Sequence, residues 1–288
     1  MSIPTSLYIH IPWCIKKCPY CDFNSHKKPQ ELDELSYVHQ LLNDFKSDLK
    51  RFPRTALHSI FIGGGTPSLF SPDAYEALFT GLKQLVAWPQ NMEVTLEANP
   101  GTIDSGRFHE YQALGINRLS IGVQSFQDEY LKKLGRVHDA NAAHRAIELG
   151  QHSGFNAINI DLMYGLPGQN VQDAMQDLHT AIAFQTEHVS WYELTIEPNT
   201  IFYKKRPTQP QEDIFIDIET QGHSLLAQAN FNRYEISAYA KPGYTCQHNL
   251  NYWKYGDYFG IGAGAHAKLT TTDHHIKRFH KLKMPNRY

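Results

Sequence analysis

Short apolar runs alternate along this chain with longer stretches in which apolar side chains recur every three or four positions. The pair repeats at intervals of roughly thirty to forty residues, as strand-helix units do. The runs at 6–11, 59–62, 93–97, 118–122, 157–161 and 189–195 predict six β-strands. Between the first two, 32–49 carries Leu35, Val38, Leu42, Phe45 and Leu49 at helical spacing, which predicts an amphipathic helix. Ser71, Pro72 and Asp73 supply a capping hydroxyl and a proline at the first helical position, so a helix is expected from there through 86. Helices predicted over 104–114 and 141–153 each stop at a glycine, Gly115 and Gly154, the residue that closes helices in a left-handed conformation. A last helix over 171–184 fills the gap before the sixth strand.

Strands alternating with helices give an α/β fold with a parallel sheet, and right-handed crossovers curl such units into a barrel or an open part-barrel. Parallel α/β folds collect ligands at the C-terminal ends of their strands. The unusual segments all fall there. A cysteine-rich loop follows strand one, Gly63-Gly64-Gly65-Thr66-Pro67 follows strand two, and Glu97-Ala98-Asn99-Pro100 closes strand three. Gln124 lies just past strand four, Asp161 and Tyr164-Gly165-Leu166-Pro167-Gly168 close strand five, and Glu197-Pro198-Asn199 follows strand six. The glycine run has neither the lysine of a P-loop nor the spacing of a dinucleotide fingerprint, so neither nucleotide is expected. Its amides can still approach a small ligand closely. Glu97 and Asp161 stand where apolar strands meet the rim, a place to receive hydroxyls or an ammonium group, whereas deep in a barrel a lone carboxylate is costly.

The rim's chemistry comes from three of the four cysteines, in Cys14-Ile15-Lys16-Lys17-Cys18-Pro19-Tyr20-Cys21. Three thiolates at such gaps hold a metal or a cluster. An iron-sulfur cube takes four ligands, so three from the protein leave one iron open. Zinc is the competing reading, with His10, Asp22 or His26 as fourth ligand. A disulfide is disfavoured because the N-terminus lacks the basic start and long apolar core of a secretory signal, and a reducing cytoplasm is expected.

Composition narrows the partners. Over 288 residues the net charge is -2 and charged residues make up 19%, which gives no electrostatic reason to expect nucleic acid. No stretch reaches the apolar length of a membrane span. Sixteen histidines allow metal or heme ligation without requiring it.

The cysteine spacing after strand one and the glycine-rich turn after strand two resemble the radical S-adenosylmethionine (radical SAM) superfamily. There the three cysteines hold a 4Fe-4S cluster whose open iron chelates S-adenosylmethionine, which is cleaved to a 5'-deoxyadenosyl radical. More narrowly, LYIHIPWCIKKCPYCDFNSH, IFIGGGTPSLF, EANPGT, RLSIGVQSF, LGRVH and NIDLMYGLPGQ resemble, in order and spacing, the oxygen-independent coproporphyrinogen III oxidase group and the related HemW heme-chaperone group. The resemblance runs from about Leu7 to the end of the chain. It implies a partial (β/α)6 radical SAM barrel over 1–210 with a C-terminal α+β extension over 211–288, and Cys14, Cys18 and Cys21 as cluster ligands. It further implies Tyr8 and Tyr20 beside S-adenosylmethionine, and Gly64, Gly65 and Thr66 at its methionyl part. Glu97, Gln124, Arg136 and Asp161 would hold the rest, with Thr195 at the adenine end.

The oxidases carry a further cysteine two positions after the third ligand and a long segment before the motif. Here Phe23 stands at that position and the motif starts at Cys14, so the resemblance favours the chaperones, which bind heme and pass it to apo-proteins, over radical decarboxylation of propionate side chains. His248-Asn249-Leu250-Asn251-Tyr252-Trp253 is similar to an element of that group tied to heme handling, with His248 the implied iron ligand and Tyr252, Trp253 and Tyr255 covering a porphyrin face. Cys246 is a lesser thiolate candidate. Relatives continue into a helical domain, so the chain is expected to be C-terminally truncated, with His274, His275 and His280 on an exposed, poorly ordered tail. A homodimer is compatible with this reading.

Overall fold

The computed structural model of the protein describes residues 3–102 and 105–288. The six expected strands form: β1 (Thr5–Ile11), β2 (Ser59–Gly64), β3 (Glu93–Ala98), β4 (Arg118–Gln124), β5 (Ala157–Tyr164) and β6 (His188–Glu193). They lie side by side in chain order, every neighbour parallel. Five further strands extend the sheet: β7 (Asn232–Arg233), β8 (Ala238–Ala240), β9 (Asp257–Ile261), β10 (His266–Thr270) and β11 (Ile276–His280). The order is β11-β10-β9-β1-β2-β3-β4-β5-β6-β8-β7 among the described residues. The segment beyond residue 210 therefore adds strands to both edges. β9 joins β1 in parallel, and β8 joins β6 antiparallel.

The helices are α1 (Glu34–Arg51), α2 (Pro72–Leu85), α3 (Ser105–Ala113), α4 (Asp128–Lys133), α5 (Ala140–His152), α6 (Val171–Ala183), α7 (Ile201–Lys205), α8 (Glu212–Gln228) and α9 (Gln247–Trp253). Their starts follow local chemistry. Asp33 accepts the Ser36 amide at the head of α1, Ser71 caps α2, and Asn170 with Asp173 forms a reciprocal capping box on α6. Asp104, the expected start of the third helix, lies outside the described residues.

Strand alternation divides the sheet into an apolar face under the helices and a polar face turned inward. Leu7, Ile9, Ile60, Ile62, Leu96, Leu119, Ile121, Ile160 and Leu162 are fully buried on the first. Phe61, Thr95, Glu97, Arg118, Ser120, Asn159, Asp161, His188 and Ser190, at alternate positions, line one shared cavity together with the loop after β1. Side chains from the first loop to the sixth strand meet in one space, so the sheet curls around it as a partial barrel.

Two expectations change. The buried stripe of α1 is Tyr37, Val38, Leu41, Phe45 and Asp48, and Leu35 is exposed. The helix begins only at Glu34, so Leu35 falls in its first turn and faces out, whereas Val38 and Phe45 are buried as expected and Leu42 and Leu49 pack half-buried against the core. The histidines near the end do not form a loose tail. β10 and β11 make a hairpin in which His280 pairs with His266, and Phe279 stacks on Phe52. Tyr288 then docks on the body, donating to Asp44 and accepting the Gly262 amide at 2.9 Å. His274 and His275 are exposed at the hairpin turn.

Candidate functional site

The cavity measures about 480 Å³. Its upper wall is the loop after β1. Trp13–Cys14 pairs in parallel with His26–Lys27, closing that loop on itself. Trp13 packs edge-on against Tyr37, with ring centres 4.7 Å apart. His10 pins the loop from below: its Nδ1 accepts from Tyr8 Oη and its Nε2 donates to the Asn24 carbonyl, both at 2.9 Å. Asn24 Nδ2 in turn donates to the Ala263 carbonyl at 2.8 Å, tying the loop to the segment after β9.

Cys14, Cys18 and Cys21 are free thiols, half-buried on the same wall. Burial pushes the thiols of Cys14 and Cys21 up. His10 is engaged as described, and His26 Nε2 contacts Asn24 Oδ1 at 3.3 Å. No group of three His, Cys, Asp or Glu side chains among the described residues converges on a single metal ion.

Beside the cysteine loop, Gly64 has φ +117, a conformation that L side chains rarely adopt. Gly65 lies so close to the cysteine loop that a Cβ there would be 2.6 Å from the Trp13 carbonyl oxygen. The Gly64 amide donates to Glu97 Oε2 at 3.0 Å. Burial, and then the charge of Asp161, push Glu97 up to about 7. Asp161 is itself raised to about 6 by burial, against hydrogen bonds from Ser120 at 3.0 Å and Asn159 at 2.7 Å. Arg136 faces these acids. Its Nη2 donates to the Gly122 carbonyl at 2.7 Å, its Nη1 reaches Cys18 Sγ at 3.6 Å, and its buried Nε has no partner.

Gln124 sits at a β-bulge with φ 72, and its Oε1 accepts from Tyr192 Oη at 2.7 Å. Left-handed backbone at a side chain of this kind costs of order 1 kcal/mol and is held by its surroundings. Burial raises the Tyr20 hydroxyl, with Arg136 opposing it. Two carboxyls of near-neutral pKa and a guanidinium around one space can accept an ammonium group and a carboxylate together, while the glycine amides expected to meet a ligand are already engaged, Gly64 by Glu97 and Gly65 by the Ile11 carbonyl.

Eleven of the expected residues meet in this cavity: Cys14, Cys18, Tyr20, Cys21, Gly64, Gly65, Thr66, Glu97, Gln124, Arg136 and Asp161. Tyr8 stands beside the cavity, behind Phe61, with ring centres 6.3 Å apart. Thr195 is exposed beyond β6, which ends at Glu193. His248, on the buried side of α9, is 2% exposed, its Nδ1 in contact with Ser59 Oγ at 3.1 Å and its Nε2 with Tyr252 Oη at 3.0 Å. In this arrangement neither ring nitrogen is open to an iron. The cavity also gathers Thr95, Arg118, Ser120, Asn159, His188, Ser190 and Tyr192, which sequence reasoning passed over. The signal was there: each is a polar residue two positions from another within a buried strand.

The radical SAM superfamily model matches residues 8–181. Over 99% of its length the chain is 51% identical to the heme chaperone HemW of Haemophilus influenzae, covering 76% of that protein. The chain belongs to the radical SAM superfamily, in its HemW group. The Escherichia coli HemW is 52% identical over 98% of this chain and 75% of its own length. A mitochondrial mouse protein, radical S-adenosyl methionine domain-containing protein 1, is 36% identical over 93% of this chain and 61% of its own. Among solved structures, the coproporphyrinogen III oxidase HemN of Escherichia coli, a radical SAM enzyme, superposes with a TM-score of 0.84 at 23% identity, over 99% of this chain and 68% of that one. At that identity the likeness is one of fold. No helix among the described residues is long and apolar enough to cross a membrane.

Proposed function

We propose that this protein is a heme chaperone of the cytoplasm that carries a 4Fe-4S cluster on Cys14, Cys18 and Cys21, binds S-adenosylmethionine beside it, and hands heme to apo-proteins. The observation that carries the reading is the meeting of three free thiols, Glu97, Asp161 and Arg136 around one cavity at the C-terminal ends of the strands. The residues present fit the two groups. Three soft thiol donors suit iron-sulfur ligation. Gly64 and Gly65 pack so tightly on His10 and Trp13 that a Cβ would clash with them, which brings the glycine turn against the cysteine loop, and Arg136 keeps a buried Nε unpaired.

Held by Cys14, Cys18 and Cys21, the cluster would supply an electron to S-adenosylmethionine. The chain's own residues orient and neutralise. Glu97 receives an ammonium group, and the charge it meets there favours its ionised form. Arg136 balances the thiolate of Cys18 and the carboxyl of Asp161. Phe23 stands where the oxidases have a further cysteine, which supports the chaperone over the decarboxylase. Heme itself is matched by the outer face of α9 and its neighbour, where Tyr252, Trp253 and Tyr255 are exposed at 39%, 56% and 60% and offer flat aromatic cover.

Anaerobic reconstitution tests the proposal. One heme taken up per chain without turnover, followed by its transfer to apomyoglobin, is the expected result. Conversion of coproporphyrinogen III would overturn it. Alanine at Cys14, Cys18 or Cys21 should each abolish the brown cluster chromophore, and a protein that takes zinc tightly and never iron would remove the cluster from the account.

A further inference from the structure

The barrel cavity has a floor as well as a rim. Arg118 opens β4 and pairs in register with Thr95 of β3, and both line the cavity. They are 4% and 1% exposed. Nη1 of Arg118 donates to the Tyr244 carbonyl at 3.2 Å, but its Nη2 and the Thr95 hydroxyl are buried without partners. Every polar neighbour on the floor is satisfied. Asn159 Nδ2 donates to Ser120 and Asp161, so its Oδ1 accepts, from Ser190 at 3.1 Å and from His188 Nδ1 at 2.6 Å. His188 Nε2 then accepts from Tyr234 Oη at 2.9 Å. Burial, reinforced by the charge of Arg118, holds His188 neutral.

No carboxylate among the described residues pairs with Arg118. Glu93 accepts the amides of Gln247 and His248, both at 3.0 Å, and the Cys246 thiol at 3.4 Å. Glu235, also on the cavity wall, accepts from Ser237 at 3.4 Å. A buried guanidinium with an unused N–H is costly unless an anion meets it. Two unused donors on adjacent strands, one of them charged, match the two oxygens of a carboxylate. Glu93 and Glu235 nearby disfavour a dianion. We propose that the floor of the barrel is a second ligand site, in which Arg118 Nη2 and the Thr95 hydroxyl bind the carboxylate of a small monocarboxylic acid or of a carboxyl-bearing side chain.

The reconstituted full chain, titrated with carboxyl-13C-labelled propionate and followed by NMR, tests this. Saturable binding of propionate, with neutral propionamide failing to compete, is expected. Arg118→Gln should weaken binding by about tenfold or more, and Thr95→Val, which keeps the side-chain shape, by several-fold. Both should retain the cluster spectrum. If Arg118→Gln fails to fold, Thr95→Val decides alone. Equal binding of propionamide, or variants that bind propionate like the parent, would overturn the site. Displacement by protoporphyrin IX but not by its dimethyl ester would identify the carboxylate as a porphyrin side chain, and displacement by neither a free acid.

Discussion

Glu97 closes a turn that belongs to a different strand: from the end of β3 its Oε2 accepts the amide of Gly64, at the end of β2, at 3.0 Å. The contact fixes the glycine turn but leaves a carboxyl buried next to Asp161. Burial and that neighbour raise Glu97 from 4.5 to about 7. Between those values the folded chain binds more protons than the unfolded one, so stability falls as pH rises from about 4.5 to about 7. Glu97→Gln keeps the acceptor for Gly64 and removes the charge. In the ligand-free protein it should flatten this slope and add about 1–3 kcal/mol above pH 7. Denaturant midpoints at pH 5, 6 and 8 measure it. An unchanged slope would mean that Glu97 ionises freely in the empty site.

Gly65 reports on the distance between the glycine turn and the cysteine loop. A Cβ there would lie 2.6 Å from the Trp13 carbonyl oxygen, and backbone, unlike a flexible side chain, cannot step aside cheaply. Gly65→Ala should therefore displace Cys14, the next residue. The expected outcome is a stability loss of about 1–3 kcal/mol and poor iron incorporation, read by thermal melting and by iron and sulfide content.

Much of this arrangement was legible in the sequence, for a physical reason. A strand covered by helices on one side and closing a barrel on the other leaves a run such as Arg118–Gln124 dense in Leu, Ile and Val, and helices such as α2 and α6 begin with capping side chains. The rim was legible because Cys14, Gly64 and Glu97 interrupt those runs at or just past their C-terminal ends; Asp161, expected to close its strand, lies inside β5, which continues to Tyr164 because Leu162, Met163 and Tyr164 still pair with β6. The floor left a fainter signal: Ser120 and Asn159 occupy single inward positions between apolar residues, His188 follows Glu187 at the start of β6, and only the curl of the sheet brings them together. β9 was hidden likewise, because its parallel pairing of Phe259 with Leu7 joins residues far apart in the chain.

His248 shows a motif that was visible and a setting that was not. Its ring bridges Ser59 and Tyr252, and burial, then His58, lowers it to about 3. It stays neutral when folded, so it withdraws stability as pH falls below the ordinary 6.5 toward 3. His248→Ala should cost about 2–4 kcal/mol through the void and the polar atoms left behind, and His248→Gln less. In the folded arrangement the ring cannot reach an iron, so His248→Gln is expected to keep the Soret band of bound heme. A lost band would show that α9 opens to release the ring when heme binds.

Asp257 holds the extension to the barrel. Buried at the start of β9, it accepts from Arg54 Nη2 at 2.6 Å, Lys268 Nζ at 2.9 Å, and the Thr270 amide and hydroxyl at 2.9 and 2.8 Å. Arg54 also reaches Thr5 on β1, at 3.1 Å, so one carboxylate links β1, β9 and β10. Burial alone would raise its pKa, but the Thr270 amide, Lys268, the Thr270 hydroxyl and Arg54 together hold it below the usual value. Its contribution is therefore present above about pH 4 and lost as pH falls through the lowered pKa. Asp257→Ala leaves Lys268 charged and buried, and should cost about 3–5 kcal/mol. The loss should be local first. Hydrogen exchange should quicken in β9 and β10 before it does in β3 and β4, because the parallel core keeps all of its own contacts. Uniform quickening across the sheet would mean that the edge and the barrel unfold as one unit. Adding Lys268→Met to Asp257→Ala should recover part of the cost, since it removes the charge that the first substitution strands.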